Sequence, residues 1–255
     1  MLQLSAIPAF ADNYIWALTD ESGATLVVDP GDATPVQAWL DQRGWHLTAI
    51  LITHHHNDHI GGLAELAACH RAPVWTPRDT RIDGPWHRVS AGDRIEIERP
   101  ASRFEVIEVP GHTLSHVAYV GETCLFSGDT LFSLGCGRLF EGSPAQMLAS
   151  LDRLSVLPGD TRVCCGHEYT LANAAFAFTV DTGNDALQRQ VAEARALRAD
   201  GHPSLPTTLE AERQANPFLR IDSPALKAWA NAHGAGANRV DRFAALRAAK
   251  DVFRA

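Results

Sequence analysis

Residues 53–59 read Thr53-His54-His55-His56-Asn57-Asp58-His59, a string that contains the pattern His-x-His-x-Asp-His. It follows Leu47–Ile52, a continuous apolar run of the kind that forms a buried strand. Chain leaving a strand end projects alternate side chains to one side. His54, His56 and Asp58 are therefore expected to converge, with His55 and Asn57 pointing elsewhere, and His59 joins them where the chain turns toward Gly61-Gly62. Imidazole and carboxylate in one cluster suit borderline divalent ions such as zinc, iron or manganese.

Six residues cannot close two metal sites, so further ligands must come from elsewhere. Three candidates stand at the ends of strand-like runs, each just after a glycine that lets the backbone turn: His112 after Gly111, Asp129 after Gly128 and His167 after Gly166. Taken singly, a His or Asp in such a place is an ordinary turn residue. Together with the histidine string they read as a binuclear centre. A structural zinc site would be four-coordinate and rich in Cys, whereas these seven candidates include no Cys. His46, His70, His87, His202 and His233 have no such company, and His116 reads as a packing residue near His112.

Working outward, the 255 residues are 45% hydrophobic and 20% charged, enough for one large or two modest domains. No apolar run approaches the roughly 18 residues of a membrane span. The first ten residues, MLQLSAIPAF, lack a basic start with a long apolar core, so no secretory signal is expected. The net charge of −8 disfavours nucleic acid and anionic membranes as partners. Five cysteines, with Cys164 and Cys165 adjacent, argue against a disulfide framework and for the cytoplasm.

Strands are expected at Leu2–Ile7, Tyr14–Leu18, Ala24–Asp29, Leu47–Ile52, Phe104–Val109, Val117–Val120, Cys124–Phe126 and Arg162–Cys165. Helices are expected at Thr34–Asp41, Leu63–Ala68 and Pro144–Val156. From about Tyr169 the chain is Ala-rich and reads as helix throughout, at Leu171–Thr179, Ala186–Arg198, Ala225–Ala232 and Arg239–Phe253. Strands followed by a run of helices suggest two parts, 1–168 and 169–255.

Thr53–His59, preceded by Val27-Val28-Asp29-Pro30-Gly31 and followed by Pro110-Gly111-His112-Thr113 and Ser127-Gly128-Asp129, resembles the signature of the metallo-β-lactamase superfamily. The resemblance implies an α/β fold, an αββα sandwich, followed here by a smaller all-helical C-terminal domain. It implies two divalent ions per chain, zinc first among the candidates and iron or manganese also fitting. His54, His56 and His112 would hold one ion, Asp58, His59 and His167 the other, and Asp129 both. Asp29 would orient a ligand histidine from behind.

Three further stretches resemble the glyoxalase II family: Gly135–Gly142 with Arg138, Cys165–Thr170 with Tyr169, and the helical tail with Asn216-Pro217-Phe218-Leu219-Arg220 and Arg247–Asp251. That family hydrolyses S-D-lactoylglutathione to D-lactate and glutathione, the second step of methylglyoxal detoxification. The resemblance makes residues 1–168 the catalytic domain and 169–255 the glutathione-binding domain of a monomer. Asp58 and Asp129 would be catalytic, and Arg138, Tyr169, Arg247 and Lys250 would bind the glutathione part. Arg247 and Lys250 are three apart and share a helix face, a local positive patch that an anionic thioester needs against the negative net charge. Arg138 stands where some members have Lys, Phe140 where some have Tyr, and Ser115 where Gly is frequent. Phe140 lacks a hydroxyl to donate, which implies one fewer contact to glutathione.

Overall fold

In the computed structural model, which describes residues 2–254, the chain forms two units that alternate along the sequence. The first takes the chain up to Glu108 together with Ser115–Gly128; the second takes Val109–Leu114 and the chain from Asp129 onward.

The first unit runs β1 (Gln3–Ala9), β2 (Asn13–Thr19), β3 (Ala24–Val28), α1 (Ala33–Asp41), β4 (His46–Leu51), α2 (Asn57–Ile60), α3 (Leu63–His70), β5 (Val74–Pro77), β6 (His87–Val89), β7 (Arg94–Ile97), β8 (Ser102–Glu108), β9 (Val117–Gly121) and β10 (Cys124–Gly128). β1 to β6 lie side by side in sequence order. β1–β2–β3 are antiparallel, joined by short turns, and β3–β4–β5–β6 are parallel. The helices α1 and α3 supply the first two crossovers that parallel pairing requires. β7 to β10 form an antiparallel meander.

The sequence explains this layering. β3 is buried at every position and is apolar apart from Thr25, as befits a strand covered on both faces. One face packs Ile15, Val27, Ile50 and Ile52 against Val36 and Leu40 of α1 and Leu63 and Leu66 of α3. On the other face Tyr119 of β9 is fully buried and donates its hydroxyl to the Ile52 carbonyl (2.7 Å), tying the meander to the sheet one residue past β4. Thr53 and the histidines begin there.

The second unit contains the hairpin β11 (Leu131–Phe132) and β12 (Gly135–Cys136), then α4 (Pro144–Ser155), β13 (Arg162–Cys165), α5 (Thr170–Val180), α6 (Asp185–Ala199), β14 (Thr207–Thr208), α7 (Leu209–Ala215), α8 (Pro224–Ala232) and α9 (Arg239–Val252). α4 opens with Pro144 and a reciprocal Ser143–Gln146 capping box. Leu134, Ala174, Ala177, Leu187, Val191 and Ala215 make an apolar cluster of hairpin and helices. Arg239 bonds Asp152 of α4 and Asp222 before α8, fixing the start of α9. The expectation of no strand beyond Tyr169 is corrected by β14, whose two residues pair with β13 (Arg162 opposite Thr208) while Thr208 caps α7. No helix among the described residues is long and apolar enough to cross a membrane.

Candidate metal centre

In the first unit, the chain past β4 stays extended through His56, which caps α2 with φ −63° and ψ 142°. His54 Nε2 and His56 Nδ1 come within 3.2 Å, as alternation along extended chain predicts. Asp58 departs from that expectation. The backbone turns helical at Asn57, so Asp58 faces His59 (Oδ2 to Nε2 3.5 Å) instead of continuing the alternation. Asn13 Nδ2 holds the same Asp58 oxygen at 3.0 Å.

Asp29 sets the orientation of both pairs. It sits just past β3 in the left-handed region (φ 54°), uncommon for a residue other than glycine. Its Oδ1 accepts from the Thr53 amide (2.7 Å), and its Oδ2 from the Thr53 hydroxyl (2.6 Å) and from His59 Nδ1 (3.0 Å). The Thr53 hydroxyl, having donated to Asp29, can only accept from His54 Nδ1 (3.0 Å). Both Nδ1 atoms therefore carry the proton, which leaves both Nε2 atoms as the lone-pair donors, the arrangement that carboxylate-backed histidine ligands use. His116 is fully buried and stacks on His54 at 4.6 Å and 14°, a packing role.

His55 turns away as expected, toward Asp79 (3.4 Å). Arg81 chiefly holds the Asp79 carboxyl well below the usual carboxylate range, with a second bond from the Ser115 hydroxyl. Ser115, which as a departure from Gly carried no evident consequence, thus supplies a hydrogen bond that Gly lacks.

In the second unit, Asp129 Oδ2 lies 3.4 Å from His112 Nε2 and 3.4 Å from His167 Nε2. His112 Nδ1 donates to the Arg138 carbonyl (2.8 Å), again leaving Nε2 as the lone pair. His167 is stacked flat on Tyr169 (4.7 Å, 5°), with the Phe132 ring edge-on to both. Phe140 stands edge-on to His112 at 5.2 Å. Of the three glycines expected to aid the turns, Gly128 is left-handed (φ 48°), while Gly111 is needed for space, since a Cβ there would meet Met147 Cβ at 2.8 Å.

These spacings suit a metal. Nitrogen or oxygen ligands about 2.0–2.1 Å from a tetrahedral ion stand about 3.3 Å from one another, close to the four separations above. The donors, imidazole and carboxylate without thiolate, fit a borderline divalent ion with open positions.

The four residues expected to hold the substrate line one cavity of about 270 Å³ in the second unit: Arg138, Tyr169, Arg247 and Lys250, with Cys136 and Asp251. Arg247 is only 6% exposed. It donates to the Cys136 carbonyl (2.8 Å), pairs with Asp251 (3.0 Å) and keeps a buried Nε without a hydrogen-bond partner. Lys250 reaches the Ala172 carbonyl (3.2 Å), and burial, followed by the charge of Arg247, pushes its pKa down. Arg138 also pairs with Asp251 (3.3 Å). Asp251 is thus the one carboxylate among the lining residues against Arg138, Arg247, Lys250 and Arg254, which leaves the cavity positive. Burial pushes the Cys136 thiol up to about 11, which makes it a packing group and a poor nucleophile.

Sequence reasoning missed the supporting contacts. Asn13 gave no signal before the fold brought it to Asp58. The Arg138 carbonyl is a backbone group that no side-chain pattern reports. Asp251 was visible only as a neighbour of Lys250.

Comparison with known proteins covers the whole length. The family model described as the metallo-beta-lactamase superfamily matches residues 11–167, and the one described as hydroxyacylglutathione hydrolase C-terminus matches residues 168–253. The chain is 54% identical over 257 residues to the hydroxyacylglutathione hydrolase of Xanthomonas oryzae pv. oryzae, covering 99% of each. Among solved structures, BLEG-1 B3 metallo-beta-lactamase is 24% identical with TM-score 0.65, covering 86% of this chain and 100% of that one, a likeness of fold alone. TTHA1623 in a di-iron-bound form is 29% identical with TM-score 0.55, covering 65% and 91%.

Proposed function

The chain belongs to the hydroxyacylglutathione hydrolase family of the metallo-β-lactamase superfamily, and from that premise we propose that it hydrolyses S-D-lactoylglutathione to D-lactate and glutathione. It has the metallo-β-lactamase fold followed by a helical C-terminal domain, and the family is one of thioester hydrolases. We place the functional boundary between residues 168 and 169, with the catalytic groups before it and most of the glutathione contacts after it. The reading also makes the enzyme a cytoplasmic monomer acting in the second step of methylglyoxal detoxification.

The observation that carries the substrate assignment is the positive cavity of Arg138, Tyr169, Arg247 and Lys250. Glutathione conjugates carry two carboxylates, and such a cavity rewards them where the net charge of −8 otherwise repels.

The seven metal-ligand candidates complete the reading. His54, His56 and His112 are assigned to one ion, Asp58, His59 and His167 to the other, and Asp129 to both. The di-iron-bound form of TTHA1623 supports two ions, and zinc, iron or manganese suits the donors. When bound, the ions supply an acidified water as nucleophile and positive charge for the developing oxyanion.

The chain's own residues do the rest. Asp29 and the Arg138 carbonyl fix the histidine tautomers. Asp58, held by Asn13, orients the attacking water. Tyr169 is held flat against His167, and its hydroxyl is assigned to the glutathione backbone. Lys250 and Arg247 take the terminal carboxylate. The leaving group is a thiolate, whose parent thiol has a pKa near 8.5, so it departs without a dedicated acid, and Cys136 is not called on.

The test compares S-D-lactoylglutathione with the same acyl group on N-acetylcysteamine, which lacks the glutathione carboxylates. Strong preference for the first, weakened in Lys250→Ala, is expected. Equal rates would move the protein to a broader thioesterase class, and no turnover of either would end the assignment.

A further inference from the structure

The hairpin β11–β12 is too small to hold itself. It pairs over two residues on each side, and Leu134 at its turn is left-handed (φ 57°). A branched side chain keeps that conformation only where its surroundings enforce it. Three buried side chains do so. Glu212 of α7 accepts from the Leu134 amide (2.8 Å). Asn216, one helical turn on, donates to the carbonyls of Phe132 (3.1 Å) and Gly135 (3.0 Å) and to Glu212 (2.9 Å). Asn173 of α5 donates to the Ser133 carbonyl (3.0 Å). The second oxygen of Glu212 accepts from Gln190 (2.6 Å). Glu212 and Asn216 are both 0% exposed. Burial pushes the Glu212 pKa up, and hydrogen bonds from Leu134, Gln190, Asn216 and Thr207 pull it back toward the carboxylate. A carboxylate serving only as acceptor for neutral donors is an expensive device in a protein interior, which makes its position informative.

The hairpin adjoins several of the second unit's candidate groups. Asp129 precedes it by two residues. The Phe132 ring meets Tyr169 and His167. The Cys136 carbonyl accepts from Arg247, and the Arg138 carbonyl, two residues on, orients His112.

We propose that Glu212 is a positioning residue for the hydrolysis: its buried carboxylate fixes the Phe132–Gly135 hairpin, and through it the carbonyls that orient His112 and Arg247. The catalytic part rests on the reaction assigned above.

The variant is Glu212→Gln, which keeps the shape but sets an N–H against one of the N–H donors. Asn216→Ala, which releases the same hairpin by its carbonyls, is the second variant. Leu226→Ala, in the core under α8, is the control for lost stability alone. Three properties are measured below every melting temperature: amide hydrogen exchange over residues 131–138, zinc affinity by chelator competition, and kcat and KM for S-D-lactoylglutathione. The two hairpin variants are expected to exchange faster over 131–138, to bind zinc about tenfold more weakly and to lose about tenfold or more in kcat/KM, the scale seen when a ligand's outer partner is removed. Leu226→Ala is expected to melt earlier with all three properties unchanged. If Glu212→Gln and Asn216→Ala also only melt earlier, the proposal is wrong. A wild type that hydrolyses no glutathione thioester would remove the assigned reaction, while exchange and zinc affinity would still decide the role of Glu212.

Discussion

The two sets of metal-ligand candidates are built by opposite means. In the first unit His54, His56, Asp58 and His59 lie on one strand-to-helix turn, and a single carboxylate, Asp29, orients two of the imidazoles, His59 directly and His54 through Thr53. In the second unit His112, Asp129 and His167 come from three separate turns, with a backbone carbonyl behind His112 and aromatic rings around His167. A negative charge behind an imidazole makes it a stronger donor than a neutral carbonyl does, while a ring fixes its direction. The first set is therefore tuned through one charged residue, while the second is supported by a carbonyl and rings contributed by several separate residues.

Substitutions can break that contrast. The largest effect is expected from Asp129→Ala, which takes from the second set the group assigned to both ions: turnover should fall on the order of 10³-fold, with metal content dropping below two ions per chain. Elemental analysis beside the rate checks it, and near-normal values for both would remove Asp129 from the centre. Asp29→Ala comes next. It should weaken metal binding or activity by about 10–100-fold, whereas Tyr169→Phe, which keeps the ring on His167, should leave metal affinity unchanged and raise KM only. Similar metal loss in both variants would erase the distinction between a charged and a packed support.

Lys250→Ala should raise KM for the glutathione thioester by about tenfold, the scale of one hydrogen bond to a charged group, with kcat nearly constant. The smallest effect concerns Asp79. Its folded pKa is lowered, chiefly by Arg81, so the stability this contributes is present above the unfolded carboxyl value of about 3.9 and fades as pH falls through the folded value. Arg81 is half exposed, so Arg81→Ala should cost less than about 1 kcal/mol at pH 7. Denaturant titrations of the two proteins should converge as pH drops below 4.

How each region is built also decides how well the sequence reveals it. The first set is contiguous, so its ligands stand out as a string, although the turn into α2 at Asn57, which re-aims Asp58, does not. The second set shows only single residues after glycines, and it took the surrounding motifs to join them. β2, β3 and β4 were legible because apolar residues dominate them. β5 to β7 are three or four residues long, ending in Pro or carrying charges, and α2 and α7 are too short for a helical period to register. β14 is set by pairing with β13, which no local pattern encodes. Arg247 was expected to share a binding face of the last helix with Lys250, but its burial against Cys136 and Asp251 depends on contacts with distant chain that helical spacing does not report.

The most direct test of the two-metal assignment is a titration of metal-free protein with zinc, following hydrolysis of S-D-lactoylglutathione and the bound metal together. Activity should rise until two ions are bound per chain and then level off. Full activity with one ion, or activity unchanged by metal, would contradict a binuclear centre.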